Sequence, residues 1–86
     1  MNKQEKAALL AAGEKRLAFL GRAMEEAIRD KDLSLARVYR CKYDGAAYML
    51  GALGLLSHEE CETRSSAMFA RFMVAAFPEP DPKEAI

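Results

Sequence analysis

Histidine and cysteine would be the most direct signs of chemistry, and this chain has one histidine and two cysteines. His58, Cys61 and Glu62 stand within about one helical turn, a spacing from which side chains can reach a zinc ion. A tetrahedral site would need further ligands from elsewhere, so His58 is read as an exposed first-turn residue. Nucleophilic catalysis needs a base beside the nucleophile and a third group to orient that base. Ser57 is the one hydroxyl next to His58, and its position suits a helix cap. Carboxylates are paired at Glu25/Glu26 and Glu59/Glu60. The second pair falls in the first turn of a helix, where negative charge offsets the helix dipole. Gly45, Gly51 and Gly54 lack the strand-to-helix setting of a phosphate loop, and the small residues Ala47, Gly51 and Gly54 are read as places of close helix approach. The expectation is a chain with no catalytic residue, no metal and no cofactor.

Arg37, Arg40 and Lys42 are interleaved with Tyr39 and Tyr43. Basic groups alternating with aromatics bind phosphates and stack bases, which gives an alternative reading: a nucleic-acid-binding or nucleotide-sequestering helical protein that uses Arg37 and Arg40. Against it, both tyrosines fall on an apolar seam, and a formal net charge of zero supplies no bulk attraction for a polyanion. The charge is uneven along the chain. Residues 31–56 carry four basic and two acidic groups, and residues 57–86 carry three and six.

Helices must position these residues. From Lys3 to Arg29, Leu10, Gly13, Leu17, Leu20, Met24 and Ala27 recur at helical spacing and define one packed face. Asp30, Lys31 and Asp32 form a polar break, with Asp32 a good N-cap, so the next helix is an antiparallel neighbour. That second helix, about Leu33 to Leu53, carries two apolar seams. Ala36, Tyr39, Tyr43, Ala46, Leu50 and Leu53 make the first. Leu35, Val38, Gly45, Met49, Ala52 and Leu56 make the second, interrupted by Lys42. Two seams predict two neighbours, one for the first helix and one for the third. Gly54 suits the left-handed position that ends a helix. Ser57 and Glu60 have capping-box spacing, with Leu56 and Cys61 placed as a hydrophobic staple. The third helix runs from about His58 to Ala76 on Cys61, Ser65, Met68, Phe72 and Ala75, widened by Phe69, Met73 and Ala76. The predicted fold is all-α: a three-helix antiparallel bundle, a helical hairpin plus a third helix, with dimerisation as a further way to complete its core. Residues 1–77 form the single domain. Pro78, Pro80 and Pro82 exclude helix and predict an extended tail over 78–86.

Removing both seams leaves a third face on the central helix: Ser34, Arg37, Cys41, Asp44, Ala47, Tyr48, Gly51 and Leu55, with Arg40 at its edge. Its second half is apolar or small, where an ordinary solvated face carries Lys or Glu. An apolar patch rimmed by polar groups suggests a protein interface, and tyrosine and arginine often dominate binding energy. The alternative is that a bent first helix, or the Phe and Met side chains of the third, cover this face; if it stays open, the expected partner-binding residues are Arg37, Arg40, Asp44, Tyr48, Gly51 and Leu55. The expected function is a small non-catalytic protein–protein interaction module that acts by occluding a partner. Phage and mobile-element inhibitors, anti-CRISPR and other counter-defence proteins among them, share this size and format. The partner is expected to be another protein, with a homodimer as the commonest symmetric form. Cys41 and Cys61 both fall where helix side chains can pack and are read as buried free thiols. The longest apolar stretch, Gly45 to Leu56, is shorter than the ~20 residues of a membrane span, and no signal-peptide pattern precedes the first helix, so a cytoplasmic location is expected.

Overall fold

The computed structural model describes residues 1–79. The predicted tail therefore lies mostly outside the described residues; Pro78 and Glu79 follow the last helix without regular structure. The fold is an all-α bundle of three helices, α1 (Lys3–Arg29), α2 (Leu33–Ala52) and α3 (His58–Ala76). Among the described residues there is no strand, and no helix is long and apolar enough to cross a membrane.

Each turn is fixed by local hydrogen bonding. At the end of α1, the Lys31 N–H donates to the Ile28 carbonyl at 3.0 Å and the Asp32 N–H to the Ala27 carbonyl at 2.9 Å. This doubled closure requires a left-handed residue just past the helix, and Lys31 supplies it at φ 59°. The Asp32 carboxylate then caps α2 by accepting the Leu35 N–H at 3.0 Å. The end of α2 repeats the scheme. Gly54, at φ 75°, donates to the Gly51 carbonyl, and Leu55 donates to Leu50, both at 2.9 Å. The capping box at α3 is complete: the Ser57 hydroxyl accepts the Glu60 N–H and the Glu60 carboxylate accepts the Ser57 N–H. Leu56 and Cys61, on either side of that cap, enter the same buried cluster.

The core forms where α1 and α2 lie antiparallel. Leu17, Leu20, Tyr43, Ala47, Leu50, Leu56 and Cys61 make the larger buried cluster, and Met24, Ala27 and Ala36 the smaller one. Met68 of α3 packs against both. Gly13 permits the seating of Leu50, because a Cβ there would come within 2.5 Å of the Leu50 Cδ2. Met1 to Leu9 are exposed, so the first turns of α1 stand clear of the core.

The placement of α3 departs from the seam assignment. The first seam of α2 meets α1 as expected, except that Leu53 is exposed. The second seam is not covered by α3: Leu35, Val38, Gly45, Met49 and Ala52 are exposed, and only Leu56, beyond the helix, is buried. Instead α3 lies on the third face, where Ala47 is fully buried and a Cβ on Gly51 would fall 2.7 Å from the Cys61 Sγ. Small side chains let helix axes approach closely, and periodicity records apolarity without recording that preference. The ion pairs follow the tertiary arrangement too. Glu25–Arg29 and Glu60–Arg64 have favourable helical spacing, yet Arg64 pairs with Glu14 at 2.7 Å and Arg71 with Glu25 at 2.8 Å. Both bonds tie α3 to α1.

Lys31 adopts a backbone conformation that an L side chain enters at a cost of about 1–2 kcal/mol. Lys31→Gly should raise unfolding stability by about 1 kcal/mol, measured by urea denaturation. The Ser57 backbone N–H, helped by the Ser57 hydroxyl, holds the Glu60 carboxyl below its ordinary value. A depressed folded-state pKa stabilises the fold above the unfolded value and loses that contribution as pH falls through the folded one. The melting temperature of Glu60→Gln should therefore lie below wild type above about pH 4.5 and converge with it at lower pH.

Candidate protein-binding surface

The residues expected to bind a partner divide into three environments. Arg37 is exposed on the N-terminal half of α2, beside Ser34, Val38, Cys41 and Lys42 around an open hollow of about 420 Å³. Arg40, Asp44 and Tyr48 come together at the α2–α3 boundary. Gly51 and Leu55 turn inward: Gly51 faces Cys61, and Leu55 packs against the larger buried cluster.

The boundary group is largely committed to the fold. Arg40 Nη1 donates to Asp44 Oδ2 at 3.0 Å. Its guanidinium carbon lies 5.3 Å from the Phe69 ring centre and 5.7 Å from that of Phe72, within cation–π range. Only 19% of the Arg40 side chain is exposed. A partly buried guanidinium engaged this way is a poor phosphate ligand, so the cluster of Arg37, Arg40 and Lys42 contributes two outward charges. Tyr48 donates its hydroxyl to Glu62 Oε1 at 2.7 Å, and that bond is the main cause of its raised pKa. Glu62, Ser65, Ser66 and Phe69 complete a shallow groove with these residues. Arg40 Nε, Asp44 Oδ1 and Ser65 Oγ are buried there with no partner among the described residues.

Where α3 was expected, α2 instead presents an apolar face to solvent. Leu35 is 41% exposed, Val38 47%, Met49 61% and Leu53 45%. Gly45 and Ala52 lie between them, also exposed, and a Cβ added to Gly45 would meet nothing within 4 Å. Lys42 is the single charge in this stripe, and its Nζ lies 5.9 Å from the Tyr39 ring centre. The ammonium thus leans to the α1 side and leaves its alkyl stem along the helix. These residues were legible in the sequence as a seam and were given to the wrong neighbour. The signal that separates the two faces is the match of Ala47 and Gly51 to the small Cys61.

Both cysteines are free thiols, but only Cys61 is buried; Cys41, expected to pack, is exposed because it lies between the face that α3 covers and the open face of α2. Cys61 Sγ donates to the Ala47 carbonyl at 3.2 Å. His58 lies 3.9 Å from Glu62, and no group of three or more His, Cys, Asp or Glu residues converges as a metal site among the described residues. Comparison of the chain with protein-family models, curated proteins and solved structures finds no match.

The α2–α3 approach predicts a coupled pair. Gly51→Ala should destabilise the fold by about 1–3 kcal/mol through overpacking, despite the better helix propensity of alanine. In a chain already carrying Cys61→Ala, the same change should cost much less, because the clashing sulfur is gone. Urea denaturation of the four chains measures the coupling; equal costs in both backgrounds would contradict the contact.

Proposed function

We propose that this protein is a non-catalytic interaction module that associates through the uncovered face of α2. The observation that carries the reading is the stripe of Leu35, Val38, Met49 and Leu53, each more than a third exposed on one side of a rigid, capped helix. Monomeric soluble proteins rarely leave contiguous apolar surface of this kind open, and such patches mark sites of association. Arg37 and Tyr48 flank the stripe as polar rim residues, while Gly51 and Leu55 act from within by setting the position of α3. Arg40 and Asp44 belong to that internal support. The mode of action is occupation of surface, which suits an occluding inhibitor or a subunit of a larger assembly.

Val38 and Met49 make the decisive test because they are exposed and remote from the buried clusters. Val38→Glu and Met49→Glu should leave helicity unchanged and stability within about 0.5 kcal/mol of wild type. Both should abolish the assemblies formed by the tagged chain in an extract of its native cells, resolved by native mass measurement. Assemblies of unchanged mass in both variants would remove this face from the function.

A further inference from the structure

We infer that the uncovered face of α2 pairs with the same face of a second copy of the chain, antiparallel, with residue 35 opposite 52, 38 opposite 49 and 42 opposite 45. This rests on the interaction reading above and names the occupant.

The spacing comes first. Leu35, Val38, Lys42, Gly45, Met49 and Ala52 follow one another at intervals of three, four, three, four and three residues. That is the repeat of a coiled-coil seam, in which each side chain inserts between residues of a facing helix. All six are exposed. From 35 to 52 the seam is roughly 27 Å long at 1.5 Å per residue, which puts a lone helix pair at the low end of specific interfaces and makes association concentration-dependent.

Side-chain size then selects orientation and register. In the inferred register every layer joins a larger residue to a smaller or complementary one: Leu35 with Ala52, Val38 with Met49, Lys42 with Gly45. Gly45 is the position where added volume meets open space, so the stem of Lys42 from the second copy has room to cross it. Its ammonium reaches water at the edge, as long basic side chains do at coiled-coil flanks. A parallel pair would instead stack Lys42 on Lys42 and Gly45 on Gly45, setting like charges together beside a void. Shifting the antiparallel pair by one heptad in one direction leaves Leu35 and Val38 uncovered. Shifting it in the other uncovers Met49 and Ala52. Only the inferred register uses all six positions.

The test uses purified full-length chain in sedimentation experiments from about 1 µM to about 1 mM, a range that spans weak self-association. Wild type should pass from monomer to dimer, and Val38→Glu should remain monomeric. Gly45→Lys places lysine opposite lysine and should weaken dimerisation at least tenfold. Combining it with Lys42→Gly restores the lysine–glycine layer with the two residues exchanged and keeps the number of helical glycines, so dimerisation should recover. Circular dichroism confirms that each variant keeps its helicity. A wild-type chain monomeric throughout overturns the inference, and it leaves the interaction reading standing if the native assemblies remain sensitive to Val38→Glu. A dimer that withstands Gly45→Lys, or one that the double exchange fails to restore, overturns the register.

Discussion

The close approach of α3 to α2 at Ala47, Gly51 and Cys61 decides the rest of this structure. Cys61 Sγ lies 2.7 Å from where a Cβ on Gly51 would sit, and it donates to the Ala47 carbonyl. A helix can come this near only along a face of small residues. Once α3 is seated there, it cannot reach the face that carries Leu35, Val38 and Met49. One local contact therefore both closes the bundle and leaves an apolar face of α2 open.

Several features hold α3 in this position. The doubled hydrogen-bond closure at Gly54 and the capping box at Ser57 set where the chain leaves α2 and the direction in which α3 starts. Leu56 and Cys61 then share a cluster with Leu50 and Leu17, so the turn is anchored in the core. Farther along, Arg40 lies over Phe69 and Phe72, while Arg64 and Arg71 cross to Glu14 and Glu25 of α1. Partly exposed ion pairs contribute little stability each. Their value here is geometric: all of them would be lost if α3 moved onto the other seam.

Helix limits, caps and both turns were legible in the sequence because their causes are local. Asp32, Gly54 and the Ser57/Glu60 pair act within a few residues of themselves, and the structure places each as its type and spacing required. The face of α2 that α3 covers was not legible in the same way. Apolar periodicity favoured Leu35, Val38 and Met49 as the second contact, since those side chains would bury more area than Ala47 or Gly51. What decided the packing is non-local, namely the fit of Cys61 against Gly51 and the reach of two arginines to α1. The same non-local terms moved the site. Periodicity leaves Arg40, Asp44, Gly51 and Leu55 over as a free face, and tertiary packing employs them inside the monomer. Arg37 and Tyr48 remain exposed.

An uncovered apolar face costs the isolated monomer the burial it would gain elsewhere, at about 25 cal/mol per Å² of apolar surface. A residue selected only to make this face tolerable to water would be charged or polar at every exposed position, yet the stripe contains one lysine among leucine, valine, methionine, glycine and alanine. Lys42 and Gly45 are adjacent along the stripe, and neither makes sense for burial against α1 or α3. A lysine is costly in a closed core, and a glycine at an exposed helix position sacrifices propensity. Taken as a pair facing the corresponding pair on another copy, each explains the other: the glycine makes space for the lysine stem, and the lysine penalises parallel pairing by like charge. The interruption that makes the second seam imperfect as a core is thus the feature that would give it a preferred orientation in the inferred dimer.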